Sequence, residues 1–368
     1  MEGVYILREK SNAENRFNAG SKAREDVDSI LIEMGALPIE CEFEFTDNRS
    51  SYGKIKKIAY HYRTKTSWNN QLSTIPNGST VVIQFPVRAH TVLLSSVIRN
   101  LKKRSITTIA VVHDLDALRN SIYYGRDAHG FRLKLEEISA LKRFDIVVAH
   151  NEKMKENLSD KFGVKIDSIV SLKIFDYIIS DEIMAKRKNE IKNSKRVIVA
   201  GNLDPDKCGY LYKLPKTVDF ELYGSNYRGD YADNVHYNGA FLPDELPAKM
   251  KGEYGLIWDG DETSTCSGIF GEYLKINNPH KTSLYLACGI PVIIWQEAAI
   301  ADFVVSHECG IAIQSIDEIA SVISNITDEQ YTKMKANAER IGINLRNGYY
   351  TNMVINKALS QMKGNNHF

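Results

Sequence analysis

The feature of this sequence that most restricts its fold is an alternation of short apolar segments with longer helix-like segments. Thr80–Phe85, Thr107–Val112 and Ile146–Ala149 are short runs rich in valine and isoleucine, which is typical of strands buried on both faces. A segment with helical spacing follows each run, for example Glu152–Phe162 with Asn151 as its expected N-cap. Such alternation predicts a parallel sheet with helices on both faces, and hence an α/β fold.

A second series of the same kind begins after a segment, 171–194, in which the pattern weakens and charge rises. Its predicted strands are Arg196–Ala200, Phe220–Gly224, Tyr254–Trp258 and Pro291–Trp295. The sequence therefore predicts two doubly wound Rossmann-like domains, residues 1–172 and 195–345, that face a cleft. We expect the last helix, 346–368, to pack back on the first domain. Ligands of such sheets bind at the carboxyl ends of the strands.

Composition places the chain among ordinary globular proteins. Of its 368 residues 43% are hydrophobic and 25% charged, the mean hydropathy is −0.30, and no apolar run approaches the roughly 18 residues of a membrane span. The five cysteines are odd in number and contain no C-x-x-C pair, so neither a disulfide framework nor a cysteine zinc site is expected. The sequence begins without a signal-peptide pattern. We expect a cytoplasmic protein.

Charge is unevenly distributed although the net charge is only +1. Residues 49–113 contain eleven lysines and arginines and no acidic residue, with Tyr52, Tyr60, Tyr62 and Trp68 among them. This asymmetry predicts an anionic partner. A membrane surface is the favoured one, which would make the protein peripheral on the inner face of the cell membrane. No nucleic-acid partner is expected, because the sequence contains no recognised nucleic-acid module.

The most informative segment is 278–293. Asn278 and Pro279 suit the start of a helix, where free backbone N–H groups and the helix dipole form an anion site. His280 and Lys281 add cationic donors at the same place. The segment therefore predicts a phosphate-binding helix terminus.

This segment also resembles the C-terminal signature of GT-B glycosyltransferases. The predicted helix is followed by a small-x-Gly-x-Pro-Val-Ile pattern, Ala287-Cys288-Gly289-Ile290-Pro291-Val292-Ile293. It is preceded by Asn-Pro-His-Lys at 278–281, and Gly-Leu-Ile-Trp-Asp lies upstream at 255–259. In these features the chain is similar to the bacterial beta-1,6-galactofuranosyltransferases of O-antigen assembly and to the glucosyltransferases that extend adhesin glycans. The resemblance covers most of the chain but not the basic, aromatic region 49–70.

The resemblance implies that the second domain binds a UDP-sugar. Lys281 would pair with the diphosphate, and Lys207 would contact a phosphate where the family has an arginine. The backbone of the Gly201–Asn202 turn would approach a phosphate, Tyr223 and Gly224 would contact the uracil, and Asp259 would contact sugar hydroxyls. The predicted donor-binding residues are Gly201, Asn202, Lys207, Tyr223, Gly224, Asp259, Asn278, His280, Lys281 and Thr282.

The first domain would bind the acceptor. His113 and Asp114 follow a predicted strand, and transfer from a UDP-α-sugar with inversion needs a base for the acceptor hydroxyl. Which of the two acts stays open. Gly20 and Ser21 precede a predicted helix, with Ser21 as its N-cap. They are predicted to contact either the donor phosphates or the acceptor.

Two D-x-D triplets, 114–116 and 259–261, raise the alternative of a GT-A enzyme, in which such carboxylates hold Mn²⁺. The two doubly wound domains and Lys281 favour a metal-independent GT-B enzyme, so we expect no metal and no cofactor.

The sequence thus predicts a hexosyltransferase, with galactofuranose the expected sugar, that uses a UDP-sugar donor and a surface polysaccharide or lipid-linked glycan acceptor. Two alternatives remain: a nucleotide-sugar epimerase of the same fold, and a non-catalytic donor-binding helper of another transferase. Association into a homo-oligomer is left open.

Overall fold

A computed structural model describes residues 3–11, 19–43, 53–119, 132–187, 195–229 and 232–365. Contacts divide the chain into two compact units. The N-terminal unit contains the chain up to residue 15, residues 27–172 and the chain from residue 351; the C-terminal unit contains residues 16–26 and 173–350. The start of the first helix is thus counted with the C-terminal unit, and the last helix, except for its first two residues, with the N-terminal unit.

The N-terminal unit is built on a six-stranded parallel sheet. Its strands lie in the order β2-β1-β3-β4-β5-β6. They are β1 (Val4–Ser11), β2 (Leu37–Phe43), β3 (Thr80–Phe85), β4 (Thr107–Val112), β5 (Ile146–Ala149) and β6 (Ile169–Ser171). The order reverses at β1, which lies between β2 and β3. A crevice is expected there, at the carboxyl ends of the strands.

Helices connect these strands. They are α1 (Ala19–Glu33), α2 (Lys54–Leu72), α3 (Leu94–Lys102), α4 (Asp116–Arg119), a π-helical turn (Lys134–Ile138) continued by α5 (Ser139–Leu141), and α6 (Glu152–Phe162). Asn151 caps α6 as predicted, because its Oδ1 accepts from Met154 N at 2.8 Å. Gly163 ends α6 in the left-handed conformation, a common helix terminus.

The C-terminal unit contains the second six-stranded parallel sheet, in the order β12-β11-β10-β7-β8-β9. Its strands are β7 (Val197–Ala200), β8 (Phe220–Tyr223), β9 (Val235–Tyr237), β10 (Tyr254–Ile257), β11 (Val292–Trp295) and β12 (Gly310–Ile313). This is the strand order of the Rossmann fold, which reverses between β7 and β10.

The remaining helices belong to this half of the chain. They are α7 (Asp181–Lys186), α8 (Pro205–Cys208), α9 (Leu246–Lys249), α10 (Gly268–Tyr273), α11 (His280–Ala287), α12 (Ala301–Ser306), α13 (Ile319–Asn325), α14 (Asp328–Arg346) and α15 (Tyr349–Asn365). Every residue of β7, β8, β10 and β11 is buried, as expected for strands covered on both faces.

The two doubly wound sheets confirm the predicted α/β class, but several boundaries differ. β2 and α2 were not predicted. The sequence also predicts a helix over Ala89–Leu101, but the helix begins only at Leu94, because Ala89 lies in the loop that follows β3. Ser21 is not an N-cap, since α1 already begins at Ala19 and Ser21 lies inside its first turn. Among the described residues, no helix is long and apolar enough to cross a membrane.

Candidate functional site

The crevice of the C-terminal sheet opens where β7 and β10 separate. The two strands are paired at Val197–Tyr254 and Ile198–Gly255. Beyond this pairing the N–H of Ala200 donates to Tyr285 Oη on α11, at 2.7 Å. The hydroxyl of Tyr285 therefore satisfies a buried backbone donor at the point where the strands diverge, and the loops that follow β7 and β10 leave from this point.

Two glycine turns touch beside the crevice. Gly201 and Gly224 follow β7 and β8 and have φ of +135° and +154°, a region that only glycine adopts readily. A Cβ on Gly224 would lie 1.7 Å from the carbonyl oxygen of Gly201, whereas a Cβ on Gly201 would meet open space. Asn202 is exposed, and its Oδ1 accepts from Asp204 N at 3.1 Å and from Asn226 Nδ2 at 2.9 Å. The predicted Gly201–Asn202 turn is thus an ordered, accessible loop.

Lys281 lies at the start of α11 and is paired inside the protein. Its Nζ donates to Trp258 O at 2.6 Å and to Asp259 Oδ1 at 3.0 Å. The side chain of Lys281 is 13% exposed and that of Asp259 is 7% exposed. An ammonium group has three donors, so two are used by the end of β10. The structure brings together Lys281 and Asp259, two predicted site residues, as an ion pair, and this pairing was not expected.

The N-terminus of α11 combines partial exposure with missing capping. Its N-cap is Pro279, and no side chain of the described part of the chain caps it. The first turn holds no acidic residue, and residues 280–281 are partly exposed. Backbone N–H groups in such a position, together with the helix dipole and the adjacent lysine, favour an anion.

Lys207, on α8, lies in the same region as Lys281. Its carbonyl accepts from Gly260 N at 2.8 Å in the loop after β10, and its Nζ lies 5.6 Å from the centre of the Phe270 ring. Burial raises the pKa of the neighbouring Cys208 thiol to about 12; Asp259 raises it further, and Lys281 and Lys207 oppose the shift. Cys208 Sγ also lies 3.9 Å from Asp259 Oδ1, the atom that Lys281 contacts, so Lys207 and Lys281 belong to the same neighbourhood after β10.

Three predicted donor-binding side chains are buried. The ring of Tyr223 is 1% exposed and its Oη accepts from Lys251 N at 2.9 Å, so it has no accessible face for a uracil. Thr282 is fully buried. Asn278 Nδ2 donates to Lys173 O at 2.8 Å, which ties α11 to the segment that enters this unit. Contact of these three side chains with a donor stays a prediction.

His280 is the first residue of α11 and is partly exposed. Its ring lies 4.9 Å from that of Tyr177 and 6.1 Å from that of Phe175. Ser283 Oγ donates to Phe175 O at 2.6 Å, so the aromatic segment that contacts His280 is itself held by α11. His280 thus stays a candidate donor-binding residue at the N-terminus of α11.

The two D-x-D triplets do not form metal sites of three ligands in the structure. Asp259 is paired with Lys281, while Asp261 is exposed. Asp114 and Asp116 both contact the guanidinium of Arg119, at 2.9 and 3.4 Å. Within the described ranges no group of three potential metal-ligating side chains occurs. Metal independence stays a prediction.

In the N-terminal unit, a chain of hydrogen bonds orients His113 at the end of β4. Arg8 Nε contacts Asp28 Oδ2 at 3.2 Å, Gln84 Nε2 donates to Asp28 Oδ1 at 2.5 Å, and Gln84 Oε1 faces His113 Nε2 at 2.7 Å. Because a carboxylate only accepts, the amide of Gln84 must point its N–H₂ toward Asp28 and its oxygen toward His113. In the neutral ring Nε2 therefore carries the proton and Nδ1 is the proton acceptor.

Asp114 differs from His113 in exposure and in partner. Its side chain is 57% exposed and pairs with Arg119, whereas His113 is 9% exposed. Arg119 thus engages the Asp114 carboxylate, while Gln84 holds the ring of His113. Which of the two predicted catalytic residues acts as the base stays a prediction.

Sequence reasoning missed other titratable groups beside β4. His150 follows β5 as His113 follows β4, so the same signal was present. It is buried, its Nε2 donates to Val112 O at 3.1 Å, and burial lowers its pKa to about 4. Glu137, on the π-helical turn, accepts from Asp116 N and Ala117 N, and burial raises its pKa to about 8. Nothing in the local sequence distinguishes Glu137 from a surface glutamate.

Gly20 and Ser21 lie in the first turn of α1, and Ser21 is partly exposed. The charged neighbour Lys22 was not predicted as a site residue. Its Nζ contacts Asp26 Oδ1 at 2.6 Å, Ile178 O at 2.9 Å and Asp244 Oδ1 at 3.0 Å, all within the C-terminal unit. Lys22 and Asp26 are buried, and their contacts hold the start of α1, with Gly20 and Ser21, in that unit.

Comparison with known proteins gives matches over nearly the whole chain. The families described as Glucosyltransferase 3-like, N-terminal domain and C-terminal domain match residues 4–174 and 197–358. The beta-1,6-galactofuranosyltransferase WbbI of Escherichia coli (strain K12) is 34% identical over 98% of this chain and 99% of its own length. Glucosyltransferase 3 of Streptococcus parasanguinis is 24% identical over 87% of this chain and 93% of its own length.

Solved structures with low sequence identity share the fold. A sucrose-phosphate synthase from Thermosynechococcus elongatus has a TM-score of 0.61 at 13% identity and covers 99% of this chain and 100% of its own. A structure described as trehalose-6-phosphate from E. coli bound with UDP-2-fluoro glucose has a TM-score of 0.61 at 12% identity. The match covers 96% of this chain and 98% of the other chain. These likenesses, the two family matches and the paired parallel sheets agree, and the expected resemblance is confirmed: the chain has the GT-B fold and belongs to the glucosyltransferase 3-like family of glycosyltransferases.

Proposed function

We propose that this glycosyltransferase transfers a hexose, galactofuranose, from a UDP-sugar to a surface polysaccharide or lipid-linked glycan acceptor without a metal ion. The observation that carries the proposal is the 34% identity to a beta-1,6-galactofuranosyltransferase over 98% of the chain. The family match favours a transferase over an epimerase or a helper protein, because its named members are transferases.

The donor would place its diphosphate at the N-terminus of α11. The uncapped first turn, Lys281 and Lys207 supply the positive potential there. Developing charge on a UDP leaving group is best stabilised by donors that are already fixed in place. The ion pair with Asp259 fixes the ammonium of Lys281 before the donor arrives, so little side-chain entropy would be lost on binding.

The acceptor hydroxyl would lose its proton to Nδ1 of His113. The Asp28–Gln84 pair keeps the proton of the neutral ring on Nε2, so Nδ1 is the atom that accepts. Protonation would place a positive charge on a ring whose Nε2 already donates to the amide oxygen of Gln84.

The test is a panel of UDP-sugars, UDP-galactofuranose and UDP-glucose among them, with product analysis in the presence and absence of a lipid-linked glycan acceptor. We expect acceptor-dependent UDP release with UDP-galactofuranose, unchanged by a chelator. Conversion of the sugar nucleotide without any acceptor would instead identify an epimerase, and binding of UDP with no turnover would identify a helper.

Calorimetric titration with UDP tests the position of the diphosphate. Lys281→Met leaves Asp259 buried without its partner, so the double variant Lys281→Met/Asp259→Asn is the informative one, since it removes both charges. We expect at least about tenfold weaker UDP binding in both, because the lost contact is a charge-assisted hydrogen bond. Wild-type affinity in the double variant would remove Lys281 from the donor site.

A further inference from the structure

The first two turns of α2 expose a continuous apolar stripe. Ile55, Ile58 and Tyr62 are 84%, 59% and 59% exposed, and Ala59 beside them is also exposed. Ile58, Ala59 and Tyr62 follow Ile55 by three, four and seven residues, a spacing that places all four side chains on one face of a helix. Large exposed apolar side chains that cluster in this way mark an interaction surface.

The opposite face of α2 holds the helix to the sheet. Tyr60, Thr64 and Trp68 are buried. Tyr60 Oη donates to Ala89 O at 2.7 Å, and Trp68 Nε1 donates to Glu42 O at 3.0 Å. At about 100° of rotation per residue, the buried and the exposed faces point in opposite directions. The stripe therefore faces away from the core of its own unit.

Basic side chains flank the stripe on both sides. The same rotation places Lys56 and Arg63 along one edge and Lys65 along the other, with Lys65 Nζ 5.9 Å from the ring centre of Tyr62. α2 contains no acidic residue, and neither does any other part of residues 49–113. An apolar face with lysines and arginines at its edges is the arrangement of helices that lie in the plane of a membrane surface.

Charge decides between the occupants that could cover this stripe. A second copy of the same helix would bring the same positive charges to a two-fold contact and would be repelled. A nucleic acid would satisfy the lysines but leave two isoleucines against a polar backbone. A bilayer with anionic headgroups accepts both the apolar side chains and the positive charge.

We propose that the Ile55–Tyr62 face of α2 docks the protein on an anionic lipid bilayer. Ile55, Ile58 and Tyr62 insert at the level of the headgroups and upper acyl chains, while Lys56, Arg63 and Lys65 contact lipid phosphates. This surface goes beyond the transfer reaction and does not depend on which sugar is transferred.

Co-sedimentation of the full chain with vesicles tests the proposal. We expect binding to phosphatidylcholine vesicles that contain about one quarter phosphatidylglycerol, and much weaker binding to pure phosphatidylcholine. The triple variant Ile55→Ser/Ile58→Ser/Tyr62→Ser should bind at least about tenfold more weakly. A matched control is Val305→Ser/Ile343→Ser/Tyr349→Ser, whose side chains are 51%, 48% and 50% exposed and which should bind like the wild type.

A second variant, Lys56→Glu/Arg63→Glu, tests the charge and should abolish the preference for phosphatidylglycerol. The proposal is overturned if the wild type does not sediment with anionic vesicles, or if both triple variants lose binding equally. Binding to single-stranded RNA, or self-association measured by light scattering, that is lost only in the Ile55 triple variant would overturn it in favour of those partners.

Discussion

The effect of Tyr285→Phe on stability can be predicted from one contact of the Tyr285 hydroxyl. Tyr285 is fully buried, and its Oη accepts the N–H of Ala200 at 2.7 Å where β7 and β10 have stopped pairing. Tyr285→Phe keeps the ring, which packs on Gly255, and removes only the acceptor. The N–H of Ala200, itself 4% exposed, then has no partner in a site too closed for solvent.

A buried backbone donor left without a partner costs about 1–3 kcal/mol. For a unit of this size, about 2 kcal/mol corresponds to a melting temperature lower by about 4–8 °C. Differential scanning calorimetry of the full chain measures this shift, and Tyr62→Phe is the matched control because the side chain of Tyr62 is 59% exposed. Its melting temperature should stay within about 1 °C of the wild type.

The reasoning is refuted if Tyr285→Phe melts at the wild-type temperature. That result would mean that the Ala200 N–H finds another acceptor, and that the two strands do not need α11 to separate. A shift in Tyr285→Phe that is matched by Tyr62→Phe would refute it equally, because the effect would then not arise from the buried contact.

Three further predictions follow from single observations. Gly224→Ala should destabilise the protein by more than about 3 kcal/mol in denaturant unfolding, because its Cβ would lie 1.7 Å from the Gly201 carbonyl oxygen. Gly201→Ala should cost only the backbone strain of about 1–3 kcal/mol. Equal losses of stability in the two variants would contradict the close approach of the two glycine turns. Burial raises the pKa of Glu137 to about 8, so at neutral pH the folded state holds a proton that the unfolded state has lost. The free energy of unfolding should therefore fall as pH rises, by about 2 kcal/mol between about pH 6 and pH 8. Glu137→Gln should flatten this dependence of stability on pH, and an unchanged dependence would remove Glu137 as its source. His113→Asn should lower turnover by about 10²–10⁴ while Asp114→Asn lowers it less than about tenfold; the reverse order, measured as UDP release, would make Asp114 the base.

The sequence was most informative where a segment lies wholly inside the sheet. β4, β5 and α6 were predicted at their observed bounds, because valine-rich runs buried on both faces and an asparagine N-cap leave few alternatives. β2 was missed because none of its first four residues is buried and it carries two glutamates. α2 was missed because its apolar residues lie on two opposite faces, so no single helical stripe appears.

The candidate site was harder to predict because its decisive contacts join distant parts of the chain. The helix start at 278–281 could be recognised locally, but the pairing of Lys281 with Asp259 joins residues 22 positions apart. Tyr223 ends a strand as a ligand-binding residue would, yet its ring turns into the core. Which way a side chain points at the end of a strand depends on packing that no local pattern records.

The number of separate attachments made by α11 has a practical consequence. One short helix and the residues that lead into it fasten the entry segment through Asn278, the end of β10 through Lys281 and the end of β7 through Tyr285. Attempts to retune sugar preference by changing residues in this helix will therefore be confounded by misfolding. Directed evolution of such an enzyme should leave α11 and the left-handed Gly201 untouched and diversify exposed positions such as Asn202, whose side chain bonds only to Asp204 and Asn226.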